Sequence, residues 1–240
     1  LDRMDTKWIK NLRRFEDKID LMDASFCTSD PKSLRLNKKI PLFYLPNPVD
    51  ESFDKLKNYN NRKLNNDVFF AMSHGVHRGV LKKGKFDERE NIIKKLKKNT
   101  PNIKYDLYGM LNNQPVWADN FINKISKSKM GLNLSQGSAV KYYSSDRFAQ
   151  IIGNGLMVLV DEKTKFSDFL NNKEIVTYKN ITDLAKKIIK YSKNDKLRSS
   201  IAKRGRNKYF KYFNSSLIAR YILDKTYGLK RRYYWENKLK

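Results

Sequence analysis

From Asp67 onward, short apolar runs alternate with longer segments of helical spacing, and no other feature of the chain restricts its fold as strongly. The strand-like runs are Val68–Met72, Tyr105–Tyr108, Met130–Leu134, Leu156–Val160 and Ile175–Tyr178. Each is short, rich in β-branched or aromatic residues, and bounded by polar residues or glycine. Between them, Ile92, Ile93 and Leu96 share one helical face, Phe121, Ile122 and Ile125 another, and Leu184, Ile188 and Ile189 a third. A further helix is expected from about Asp195 to Phe213, with Leu197, Ile201 and Tyr209 inward. Strand–helix alternation of this kind predicts an α/β fold, a Rossmann-like parallel sheet with helices on both faces.

The first sixty residues read differently. Trp8, Ile9, Leu12 and Phe15 suit a helix, Ser25–Thr28 a short strand, and Ser29-Asp30-Pro31 a helix start. The apolar run Ile40–Leu45 ends at Pro46-Asn47-Pro48, where two prolines make a stiff turn. Asn58–Asn66 is polar and reads as a loop. After Ser215 the pattern gives one helix and then a basic, aromatic tail, Lys230–Trp235. The chain begins at Leu1 and not at Met, as a piece of a longer protein would.

Composition narrows the class. With 51 Lys+Arg against 25 Asp+Glu the formal net charge is +26, yet 40% of residues are hydrophobic and 12% aromatic, enough to build a core and unlike a disordered chain. No run approaches the roughly 18 apolar residues of a membrane-spanning helix, and no signal-peptide pattern opens the sequence. A single cysteine, Cys27, excludes an internal disulfide framework and fits a reducing, cytoplasmic setting. The charge invites a nucleic-acid reading. The lysines, however, are spread along the chain, as in Lys94, Lys95, Lys97 and Lys98, and read as solvated helix faces. No zinc-finger, RNA-recognition or helix-turn-helix pattern accompanies them. An anionic membrane surface or a phosphorylated substrate fits the charge equally well.

In an open parallel sheet, ligands bind at the carboxyl ends of the strands. The first strand runs into Ser73-His74-Gly75-Val76-His77-Arg78-Gly79 and the second into Gly109-Met110. The third leads through Ser135-Gln136-Gly137-Ser138 to Lys141-Tyr142-Tyr143-Ser144-Ser145-Asp146-Arg147. Small, hydroxyl-bearing and basic residues gather there, as a pocket for an anionic, hydroxyl-rich ligand requires. Gly75 allows close backbone approach, Arg78 offers a planar donor to phosphate oxygens, and Ser144 or Ser145 caps a helix whose first N–H groups attract phosphate. Arg147 adds charge in the first turn, and Gly153-Asn154-Gly155 ends that helix.

Other motifs fail. Gly79 to Lys85 has the spacing of a phosphate-binding loop, but Phe86 stands where a magnesium-ligating Ser or Thr belongs. His74 and His77 lack a third ligand nearby, so no metal site is assigned. Cys27 reads as a buried thiol, and no nucleophile elbow is present.

Taken in order, these residues resemble the carboxyl-terminal, nucleotide-sugar-binding half of GT-B glycosyltransferases of the "glycosyl transferases group 1" set. Val68–Met72 with its Gly/Arg loop resembles the first strand and phosphate-contacting loop, and Tyr108-Gly109-Met110 the strand end near the nucleobase. Ser128–Ser135 is similar to the strand before the donor loop. Arg147-Phe148-Ala149-Gln150 followed by Gly153-Asn154-Gly155-Leu156 resembles the signature arginine, acidic position, glycine and strand. Asp183 to Phe213 resembles the closing helices, and Tyr44–Asp50 the linker between halves. Many retaining members carry two glutamates eight residues apart; here Tyr142 and Gln150 stand in those positions, and an amide can still bond a ribose hydroxyl.

The resemblance implies hexosyl transfer from a nucleotide-sugar to a glycan or lipid-linked acceptor, in cell-envelope glycan synthesis; the positive charge adds an expectation of a cytoplasmic protein in peripheral contact with the inner, anionic face of a membrane. It implies no bound metal and no cofactor beyond the donor substrate. Arg78 and Arg147 would stabilise the departing diphosphate, with Lys82 and Lys83 as looser candidates. Ser73, His74, Gly75, Gly109, Met110, Ser135, Tyr143, Ser144, Ser145, Asp146 and Gln150 would contact the donor. Residues 1–58 would then be the end of an amino-terminal domain and a linker, 59–215 the donor domain, and 216–240 a terminal helix and tail. A nucleic-acid-binding or anionic-surface module, or a nucleotide-sugar epimerase of the same fold, is the alternative.

Overall fold

The computed structural model describes residues 14, 17–18, 21–34, 41–73, 76–77, 80–81 and 87–239, with the backbone alone described at 34, 76–77 and 80–81. The first-helix expectation at Trp8–Phe15 falls largely outside these residues. Strands β1 (Ser25–Cys27) and β2 (Leu42–Tyr44) form a small parallel pair. The main chain then supplies β3 (Asn66–Ala71), a short antiparallel pair β4 (Val76–His77) and β5 (Val80–Leu81), helix α1 (Glu88–Asn99) and β6 (Tyr105–Tyr108). Next come α2 (Ala118–Ile125), β7 (Ser128–Asn133), α3 (Asp146–Gly153), β8 (Met157–Asp161) and β9 (Val176–Tyr178). Three helices close the chain: α4 (Ile181–Lys193), α5 (Asp195–Tyr212) and α6 (Ser215–Thr226).

Five strands make one wholly parallel sheet in the order β6-β3-β7-β8-β9. All five apolar runs of the sequence are therefore strands, and the fold is Rossmann-like α/β. The period of two along each strand divides the interior into two layers. Val68, Phe70, Met130, Leu132, Met157 and Leu159 face Ile93 and Leu96 of α1 and Leu184 and Ile188 of α4. Phe69, Val158 and Val160 face the opposite way, onto Phe148, Ile151 and Ile152 of α3 and the aromatic residues beyond. Burial on both faces explains why these strands read as continuous apolar runs.

Asparagine, abundant in the sequence, starts three of the helices. The side chains of Asn180, Asn194 and Asn214 accept from the N–H groups of Asp183, Leu197 and Leu217. Leu197, expected inward, is instead exposed. The buried stripe of α5 is Arg198, Ile201, Ala202, Gly205 and Tyr209, and Leu197 lies about 100° round the helix from Arg198. Arg198 takes the inward place because its guanidinium is satisfied by Asp195 Oδ1 at 3.0 Å.

The terminal segments pack together. Val49 is fully buried and pairs with Asn214: its N–H donates to Phe213 O, and its carbonyl accepts from Ser215 N–H. The tail is core on its aromatic side, with Tyr221, Tyr233 and Trp235 against one another and Tyr221 edge-on to Phe26 and Phe43. Even the polar Asn58–Asn66 loop has a buried anchor, since Asn58 Nδ2 donates to Ile125 O and Ser128 O at 2.9 Å.

Candidate functional site

The strand order places the first strand of the sheet, β3, beside the third, β7, with connections leaving in opposite directions. A crevice opens at the carboxyl ends of two such strands. Here it widens into a cleft of about 1010 Å³. Ala71, Met72 and Ser73 enter it from β3, Ser135 and Gln136 from the loop after β7, and Asp146, Arg147 and Gln150 from α3.

Arg147 is the centre of this arrangement. Its Nε donates to Ala71 O at 2.7 Å and its Nη1 to Leu134 O at 3.0 Å, so one guanidinium joins the ends of both strands that flank the crevice. The group also lies 4.8 Å from the centre of the Phe70 ring. Burial, with repulsion from Arg89, pulls its pKa down to about 10, so it stays charged at neutral pH. Two of its five N–H groups are used by these carbonyls, which leaves donors for a ligand. The N-terminus of α3 is built beside it. Ser145 Oγ accepts from Phe148 N–H at 3.2 Å and donates to Asn133 Oδ1 at 2.9 Å, while the buried Asn133 Nδ2 has no hydrogen-bond partner among the described residues.

Three further features, not read from the sequence, also line the cleft. Arg89, in the first turn of α1, is clamped by both oxygens of the helix cap Asp87, at 2.9 Å each. Its only sequence signal is its place in the first turn of a helix that comes after the glycine-bearing loop. Trp117 is 51% exposed, directly before Ala118, whose backbone is left-handed (φ 45°). Reading strand ends alone stops at Met110, seven residues too early to find it. The third feature is an acidic pair from the linker. Hydrogen bonds from Ser215 and Ser52 hold Asp50 down at about 2, whereas burial pushes Asp54 up to about 6 despite bonds from Asp50 N–H and Asn154 Nδ2.

Of the residues expected at the site, Ser73, Ser135, Tyr143, Ser145, Asp146, Arg147 and Gln150 come together around the cleft. Three do not. Ser144 is buried, and its hydroxyl accepts from Asn47 N–H at 2.8 Å, tying the linker to α3. Met110 is fully buried in the core layer under α1. Gly109 is required for chain packing: its φ is +72°, and a Cβ there would lie 1.8 Å from Met72 O. His74, Gly75, Arg78, Lys82 and Lys83 lie outside the described residues. Tyr142, in the first glutamate-equivalent position, is fully buried with its hydroxyl donating to Asp168 Oδ2 at 2.8 Å. Only Gln150 of that pair reaches the cleft. Cys27 is half-buried, with its thiol pushed up to about 11 by burial. Among the described residues, no three His, Cys, Asp or Glu converge as a metal site would need, and no helix is long and apolar enough to cross a membrane.

A family model described as "Glycosyl transferase-like" matches residues 88–224, more than half of the chain. No curated protein matches in sequence. Among solved structures, TarM superposes with a TM-score of 0.62 at 16% identity, over 90% of this chain and 46% of its own length. Anabaena HepE in complex with UDP and glucose gives 0.65 at 10% identity, over 92% and 67%. An alpha-glucosyltransferase in complex with UDP gives 0.58 at 14% identity, over 91% and 70%. The chain thus spans about half the length of TarM. These likenesses agree with the five-stranded parallel sheet as a GT-B fold.

Proposed function

Because the chain belongs to the glycosyl transferase-like family, we propose that its β3–β7 cleft binds a nucleotide-sugar and that the sugar is transferred from it to a glycan or lipid-linked acceptor. The single observation carrying this reading is Arg147, a charged group fixed by Ala71 O and Leu134 O at the crevice where β3 and β7 end. Glycosyl transfer breaks the bond between the anomeric carbon and the diphosphate oxygen, so negative charge grows on the diphosphate in the transition state. A donor already held in place, with little water around it, stabilises that charge without reorganising. The uncapped N–H groups of α3 add partial positive charge on the same side. In this reading the leaving group is neutralised by protein groups and needs no metal ion.

Trp117 offers an exposed ring on which a nucleobase can stack, and the Gln150 amide can bond a ribose hydroxyl. That HepE and the alpha-glucosyltransferase are described with UDP supports a uridine nucleotide as the first ligand to try. Calorimetric titration with UDP, GDP and their sugar conjugates tests the reading. Binding of at least one, weakened by Arg147→Ala, is expected; binding of none removes the donor site. Product analysis with and without acceptor separates transfer from epimerisation of the same donor.

A further inference from the structure

Helix α6 and the turn after it carry an exposed face that the cleft does not use. We propose that this face, formed by Arg220, Leu223, Tyr227, Leu229, Lys230 and Arg232, docks the protein on an anionic lipid surface. None of these six residues lines the donor cleft.

Leu223, Tyr227 and Leu229 are 55%, 75% and 54% exposed. Arg220, Leu223 and Tyr227 succeed one another at i, i+3 and i+7 and so share one side of the helix line, while Ile218 and Tyr221 are buried on the other and Asp224, one turn on from Arg220, is buried between the two. The end of α6 is fixed. Gly228 (φ +69°) donates to Lys225 O at 3.2 Å and Leu229 N–H donates to Asp224 O at 2.7 Å, the paired bonds of a Schellman closure. The residue after the glycine commonly packs back on the helix in such a closure; Leu229 stays exposed instead.

The segment from Lys230 to Tyr233 is held in place as well. Lys225 Nζ donates to Arg231 O at 3.1 Å, Arg231 pairs with Asp224 at 3.4 Å, and Tyr233 donates to Asp224 Oδ2 at 2.7 Å. Leu229, Lys230 and Arg232 are therefore presented by an ordered backbone. Both carboxylates of the region are occupied, Asp224 as described and Glu236 by Lys225 at 2.8 Å. Arg220, Lys230 and Arg232 are exposed and have no ion pair among the described residues.

Cations beside protruding aliphatic and aromatic groups suit a bilayer interface, where phosphates meet the charges and acyl chains take the leucines. A nucleic acid would use the charges and stack on Tyr227 but has no place for the two leucines, and a second copy of this like-charged face would repel the first.

The test is flotation of the 240-residue protein with vesicles of phosphatidylcholine alone or mixed with phosphatidylglycerol. Binding to the anionic vesicles only is expected. Lys230→Glu/Arg232→Glu should weaken it about tenfold or more, and Leu223→Ser/Leu229→Ser should weaken it without changing its salt dependence. All four positions are exposed, and circular dichroism checks the fold. UDP titration of the same variants should be unaltered, which keeps this result separate from the donor site. The proposal fails if the protein ignores anionic vesicles or if either double variant floats as the wild type does. It fails equally if the leucine variant loses only self-association, or if an RNA oligonucleotide binds more tightly than vesicles and is indifferent to the leucines.

Discussion

Replacing Arg147 by Ala removes two hydrogen bonds from a charged donor, at 2.7 and 3.0 Å, and a ring contact at 4.8 Å. Bonds of this kind contribute about 1.5–3 kcal/mol each. Part of that is returned, because the guanidinium no longer has to be desolvated. A net loss of about 3 kcal/mol is expected, which for a chain of this size lowers Tm by roughly 6–12 °C. The donors left over for phosphate would be lost too. One charge-assisted contact of about 1.5–3 kcal/mol corresponds to roughly 10- to 150-fold weaker binding. Arg147→Lys should recover the charge but not the fork, since an ammonium cannot span two carbonyls and a phosphate together; its UDP affinity should fall between the two. The assay is calorimetric titration with UDP at fixed ionic strength, beside thermal melts of the same preparations. A folded Arg147→Ala protein that binds UDP within threefold of wild type would refute the donor reading. An unchanged Tm would refute the strand-joining role.

Three further outcomes are expected. Trp117→Ala should leave the melt unchanged, because the ring is 51% exposed, and should weaken UDP by about 5- to 100-fold if the base stacks there; equal affinity would move the base elsewhere. Gly109→Ala should lower Tm by about 5–10 °C, from a left-handed backbone and a Cβ forced against Met72 O, while Gly228→Ala, with open space around it, should cost less. Asp54 titrates near 6 when folded and near the ordinary 3.8 when unfolded, so its contribution is full below about 4 and is lost as pH rises through about 6. Asp54→Asn should therefore gain on the wild type between pH 4 and 7, and a constant difference across that window would sink this account. Asp50, held near 2, acts only below the window.

Much of the fold is set by local pattern. The five apolar runs became β3, β6, β7, β8 and β9, and the spaced triplets became α1, α2 and α4, because burial on both faces or on one stripe leaves a periodic trace in adjacent residues. The cap at Ser145 and the position of Arg147 after it were legible for the same reason: a helix start is written within four residues.

What the sequence could not hold is which strand lies beside which. That depends on the summed packing of residues far apart in the chain, and it is the β6-β3-β7 order that sets Ala71 and Leu134 side by side for Arg147 to join. The same long-range packing turned Ser144 into an anchor for Asn47, sealed Met110 and Tyr142 in the core, and brought Arg89, Trp117 and the Asp50–Asp54 linker to the cleft. Residue type and local spacing fixed which elements form; only their assembly decided which side chains face the cleft, because facing is a relation between elements that no single element contains.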